Sequence, residues 1–123
     1  MRSDELLALV EDALKDLKAR DIRVLHVRDL TTITDYMVIS SGTSNRHVRS
    51  IADNLIEKAK AAGHPPLGIE GQEFGEWVLV DLADVVVHIM QPDARDFYKL
   101  ENLWDMESQA DPDREQTRAG PGR

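Results

Sequence analysis

Residues 75–104 read GEWVLVDLADVVVHIMQPDARDFYKLENLW, and this stretch sets the fold class. Trp77 to Val80 is a short apolar run of strand composition, and Leu82-Ala83-Asp84 leaves room for a tight connection. Val85 to Met90 is the most β-branched run of the chain, and branched side chains suit a pleated, packed surface. Pro92 cannot donate to a ladder and ends the strand. Asp93 is the expected N-cap of a following helix, in which Phe97, Leu100 and Trp104 recur at helical spacing. Two strands and a helix in close succession predict a sheet edged by helices.

Working outward, Leu6, Leu7, Val10, Ala13, Leu14 and Leu17 form one apolar stripe of a first helix, with Ser3 as its expected N-cap. Ile22 to Arg28 alternates as a first strand, and Tyr36 to Ser40 is a second. Gly42-Thr43-Ser44 turns the chain into a helix from about Asn45 to Ala62, capped by Ser44 or Thr43 and closed by Gly63. Leu67 to Glu70 is a short third strand, and Gly71 to Gly75 is a turn. The order is α-β-β-α-β-β-β-α, an α/β fold with a five-stranded mixed sheet and flanking helices. After Trp104 large apolar residues almost vanish. Residues 1–104 are therefore expected to fold as one domain, and residues 105–123 to form a disordered acidic tail.

With 123 residues the chain holds one domain. It has no cysteine, so disulfide and thiolate chemistry are excluded. No apolar run approaches the ~20 residues of a membrane span, and the acidic start is unlike a signal or transit peptide; the expectation is a cytoplasmic protein. A formal charge of −8 disfavours broad nucleic-acid binding and suits a basic protein partner.

Catalytic constellations are weakly supported. Nucleotide transfer needs a phosphate-binding turn, which Gly42-Thr43-Ser44 could supply, and paired carboxylates on metal. Asp81 and Asp84 are three apart and need not share a face, and the closer pairs Asp105/Glu107 and Asp111/Asp113 lie in the tail. His26, His47, His64 and His88 share neither an i, i+4 helical face nor an H-x-H strand, so no zinc site is expected. The basic first turn Arg46, His47 and Arg49 has two readings: an anion receptor, or cations that point into solvent or pair with the chain's own acids. The expectation is a protein with no cofactor and no catalysis.

A sheet face is the better candidate. Alternation puts Trp77, Leu79 and Asp81 on one side of the fourth strand, and Val86, His88 and Met90 on one side of the fifth. The aliphatic set Val85, Val87 and Ile89 then faces the helices. The mixed set, bordered by Glu70, Tyr98 and Glu101, is the candidate binding surface, with Trp77 and Met90 neighbouring and partly exposed. Against this stand a core role for Trp77 and a structural, hydrogen-bonded role for His88.

Three blocks carry a resemblance in order and spacing: Thr34-Asp35-Tyr36-Met37-Val38-Ile39, Gly42-Thr43-Ser44-Asn45-Arg46-His47, and the run from Glu70-Gly71 through GEWVLVDLADVVVHIM to R-x-FY-x-LE-x-LW. Together they resemble the ribosomal silencing factor family, also called Iojap-like proteins. The resemblance implies a nucleotidyltransferase-like core. It also implies a protein that binds large-subunit ribosomal protein fourteen on the large ribosomal subunit, blocks association with the small subunit, and so represses translation. A homodimer is implied for the free state. A metal-dependent nucleotidyltransferase-type enzyme and a generic protein-interaction adaptor are the alternatives.

Overall fold

A computed structural model describes residues 1–99, the side chains of Phe97 and Tyr98 excepted. The expected continuation of the last helix through Leu100 and Trp104, the site residue Glu101 and the tail 105–123 lie outside the described residues. The elements are α1 (Ser3–Asp16), β1 (Arg20–His26), β2 (Tyr36–Ser41), α2 (Asn45–Ala61), β3 (Gly68–Glu70), β4 (Trp77–Asp81), β5 (Val85–Met90) and α3 (Pro92–Tyr98). Their order is the one expected from the sequence.

The strands form one mixed sheet in the order β1-β2-β5-β4-β3. β2 and β5 run parallel at its centre, and every other pair is antiparallel. α2 therefore carries the chain from β2 to the far edge, and the β3-β4-β5 meander brings it back. Alternation along the strands gives the sheet two apolar faces. On one, Val38, Val78, Val80, Val85, Val87 and Ile89 pack beneath Leu6, Val10 and Leu14 of α1 and Val48, Ile51, Leu55 and Ala59 of α2. The aliphatic set of β5 faces the helices, as expected.

The two long helices are tied to each other and to the sheet by polar contacts. Asn54 Nδ2 donates to the carbonyl of Ala13 at 2.9 Å, and Lys58 pairs with Asp16 at 2.7 Å. Ser44 caps α2 by accepting from the His47 amide at 3.1 Å, as the sequence suggested.

Two cap assignments need correction. Ser3 is the first residue inside α1, and Arg2 is the N-cap. The Ser3 hydroxyl donates to Asp35 Oδ2 (2.6 Å) and lies 3.2 Å from Asp84 Oδ2. Partners at the start of β2 and before β5 thus outcompete the local capping bond. Asp93 is likewise not the cap of α3: Gln91 is, with Pro92 at the first helical position. Proline fits there because its fixed φ is helical and its missing N–H has no partner to lose. α3 ends at Lys99, whose backbone is left-handed.

Candidate functional site

The second face of the sheet is built from β4 and β5 outward. Trp77 stands opposite Met90, Leu79 opposite His88, and Asp81 opposite Val86. Across the parallel seam Val86 neighbours Met37, His88 neighbours Ile39, and Met90 neighbours Ser41. Glu70 on β3 stands opposite Leu79. The sequence reading placed Trp77, Leu79, Asp81, His88 and Met90 on one face, and the register brings them together there.

The face is not uniform. At its Met90 end it is closed. Met90 is 0 % exposed, in a cluster with Leu25, Val27, Ile39 and Ala94 of α3. Arg95, also buried, donates from Nη1 to Ser41 Oγ at 2.9 Å and fastens α3 to β2. The expected partial exposure of Met90 is therefore corrected: alternation fixes which face a residue takes, but α3 folds over this end and covers it. Toward Asp81 the face opens. Met37, Leu79, Asp81 and Val86 are half-buried and Glu70 is exposed. Val86, which alternation had already put on this face, and Met37, which sequence reasoning did not name, both belong to this open strip. The position of Met37 follows from the β2–β5 register, which the sequence alone does not contain.

Trp77 and His88 sit at the boundary. Trp77 Nε1 donates to His88 Nδ1 at 3.0 Å, with ring centroids 5.9 Å apart. A nitrogen that accepts carries no proton, so His88 is the neutral tautomer protonated on Nε2. Burial, which disfavours the charged ring, lowers its pKa from 6.5 to about 4. At 5 % exposure His88 takes the structural, hydrogen-bonded role and supports the half-buried Trp77 from beneath. Tyr98 lies at the end of α3, its side chain outside the description.

The loop before β4 fixes where Trp77 begins. Gly71 and Gly75 have φ of +80° and +76°. A Cβ on Gly71 would lie 2.0 Å from the carbonyl oxygen of Trp77, and one on Gly75 would lie 2.6 Å from that of Asn45. Both positions demand glycine, which accounts for the E-G-x-x-x-G-E-W spacing.

In the basic first turn of α2, Arg46 is exposed, while His47 and Arg49 are committed internally. His47 Nδ1 accepts from the Thr43 amide at 2.9 Å and Nε2 donates to the carbonyl of Leu17 at 2.7 Å. Arg49 Nη1 donates to the carbonyls of Glu73 and Phe74 at 3.4 and 3.3 Å. Neither the anion receptor nor pairing with side-chain acids describes these two; their partners are backbone groups. Asp81 and Asp84, whose spacing gave no reason to pair them, have different partners: Asp81 Oδ1 accepts from the Ala83 amide at 2.9 Å, and Asp84 Oδ2 faces the Ser3 hydroxyl. Among the described residues no group of three or more His, Cys, Asp or Glu side chains is placed to hold a metal ion. No described helix is long and apolar enough to cross a membrane.

Comparison with known proteins places this architecture. The family described as "Ribosomal silencing factor during starvation" matches residues 1–122. The chain is 48% identical over 101 residues to the ribosomal silencing factor RsfS of Haemophilus influenzae, covering 80% of this chain and 99% of that one. A crystal structure of a Chromobacterium violaceum protein superposes with a TM-score of 0.84 at 45% identity, over 85% of this chain and 88% of that one. A mouse protein named "Mitochondrial assembly of ribosomal large subunit protein 1" is 39% identical over 98 residues, 77% of this chain and 43% of its own length. The shared blocks, the matching fold and the family's coverage of nearly the whole chain agree: this protein belongs to the ribosomal silencing factor family.

Proposed function

We propose that this protein represses translation by occupying the large ribosomal subunit, with the open strip of the second sheet face set against large-subunit ribosomal protein fourteen. The observation that carries the reading is the uneven closure of that face. α1 and α2 seal one side of the sheet and α3 seals the Met90 end of the other. Met37, Leu79, Asp81 and Val86 are left half-buried, beside a half-buried tryptophan on a rigid support. Buried apolar centres with an aromatic anchor and a polar rim are what protein interfaces are made of. Glu70 and Asp81 supply an acidic rim, and a charge of −8 favours encounter with a basic partner. The name of the mouse relative, which refers to the large ribosomal subunit, supports the same partner.

The action is occupancy. A protein seated where the small subunit must dock prevents joining without making or breaking a bond, so neither cofactor nor catalytic group is required. The site of action is the cytoplasm, and the free chain is a homodimer, as the family resemblance implies. The test is a sucrose-gradient separation of purified large and small subunits mixed with and without the protein. The expected result is that the protein sediments with large subunits and depletes joined ribosomes. Undiminished joining, with the protein left at the top of the gradient, would reject the proposal.

A further inference from the structure

The centre of the sheet contains a second feature, which is not part of the open strip. β2 and β5 are adjacent and parallel, and the chain leaves them in opposite directions. After β2 it enters α2 on one face; after β5 it enters α3 on the other. Two connections that diverge from neighbouring parallel strands open a crevice at the strands' carboxyl ends, the position where open α/β sheets bind ligands. Here a concavity occupies that position, lined by Asn45 after β2, Gln91, Asp93 and Ala94 after β5, and Phe74 and Glu76 from the loop before β4.

Its chemistry is the opposite of a phosphate site. Glu76 and Asp93 are exposed carboxylates, which repel anions, and Asn45 and Gln91 supply amide groups that accept as well as donate. Phe74 is 72 % exposed, an unusual cost for an aromatic ring. The loop holding it is not slack. Arg49 grips the carbonyls of Glu73 and Phe74, Gln72 Nε2 donates to Asp53 Oδ1 at 2.6 Å, and the Gly75 amide closes onto the Gly71 carbonyl at 3.1 Å. The exposed ring therefore rides on a loop fastened to α2. A fixed aromatic face beside two carboxylates fits a cationic side chain, held by cation–π attraction and charge-assisted hydrogen bonds. The crevice lies at the covered Met90 end of the second face, and Trp77 links it to the open strip. Glu76 precedes Trp77, and its carbonyl accepts from the Gln91 amide at 3.0 Å.

We propose that the crevice between Phe74, Glu76 and Asp93 is a second docking point, which receives a lysine or arginine side chain of the same basic protein that covers the open sheet strip. This rests on the function proposed above, and the experiment separates the two. Affinity for purified large subunits is measured over a salt series for the native chain, Phe74→Ala, Phe74→Tyr and the double variant Glu76→Gln/Asp93→Asn, with a thermal melt of each. All substitutions fall on exposed positions, so the melts should coincide. The double variant should bind about ten-fold more weakly at low salt. Its affinity should also fall less steeply as salt rises. Phe74→Ala should lose about three-fold or more, and Phe74→Tyr, which keeps the ring face, should recover it. If the native chain binds and all three variants match it within two-fold across the series, the crevice is not a docking point while the sheet strip stands. If the native chain does not bind large subunits, both proposals fall.

Discussion

The two faces of the sheet use the same strands and end in different states. The helix face is sealed along its length by two long helices over a predominantly aliphatic centre. The second face is sealed at one end by the seven-residue α3 and is open at the other. Coverage, rather than composition, separates core from surface here: Met90 and Met37 are the same residue type on the same face, yet one is fully buried and the other half-buried. A hydrophobic side chain in a strand is thus committed to the core only when another element is laid over it.

The comparison can be broken most forcefully at its closed end. Met90→Glu would place a carboxylate in the apolar cluster of Leu25, Val27, Ile39 and Ala94 under α3, beside an Arg95 already held by Ser41, and should destabilise the fold by roughly 2–4 kcal/mol. Leu79→Glu, on the open strip, should cost roughly 1 kcal/mol or less. Urea unfolding of the two variants measures the difference directly. Equal losses would mean that the second face is closed, or open, throughout.

The boundary between the two ends is a titratable one. His88 is buried neutral with a pKa of about 4, against 6.5 for an ordinary imidazole. The unfolded chain therefore takes up this proton first as pH falls. Stability from this group is complete above about pH 6.5, declines between 6.5 and 4, and is fully lost below 4. The loss is about 3 kcal/mol, of which His88→Gln should abolish the pH dependence. Asp35 titrates in a lower window. Its hydrogen bond from Ser3 and, next, the Arg28 guanidinium hold its carboxyl below the ordinary value of 3.8. Unfolding free energies measured from pH 7.5 to 4 therefore report mainly on the histidine.

Val87→Ala, on the sealed face, should cost about 2 kcal/mol through lost burial and the cavity left behind, with large-subunit affinity unchanged in the folded fraction. The smallest expected effect has the opposite sign. Ser40 lies fully buried on the helix face, and its hydroxyl has no hydrogen-bond partner among the described residues. Ser40→Ala removes that unsatisfied group and should stabilise by about 1 kcal/mol, raising Tm by a few degrees.

The sequence carried the element order and the division of β5 into two faces, because period-two alternation and β-branched composition are local signals. It also narrowed the cap of α2 to Ser44 or Thr43, of which Ser44 makes the capping bond. Where distant groups compete, local reading failed: Ser3 is claimed by Asp35 and Asp84, 32 and 81 residues away. Pro92 at the first helical position was a readable sign that the cap lay one residue earlier, at Gln91. The candidate site was half legible. Membership of the face, Val86 included, follows from alternation, but the cover over Met90, the Trp77–His88 bond and the inclusion of Met37 depend on docking and register. Buried Arg95 is the extreme case, a charged helix residue whose anchoring role appears only once Ser41 lies beneath it.

The central claim is that the open strip makes the ribosomal contact. It is tested most directly by the affinity of Leu79→Glu for purified large subunits, measured beside its thermal melt. The account predicts a melt close to that of the native chain and binding weakened by about 2–4 kcal/mol, some 30-fold to 1,000-fold. A folded Leu79→Glu chain that binds large subunits as tightly as the native one, and blocks joining as well, would contradict it.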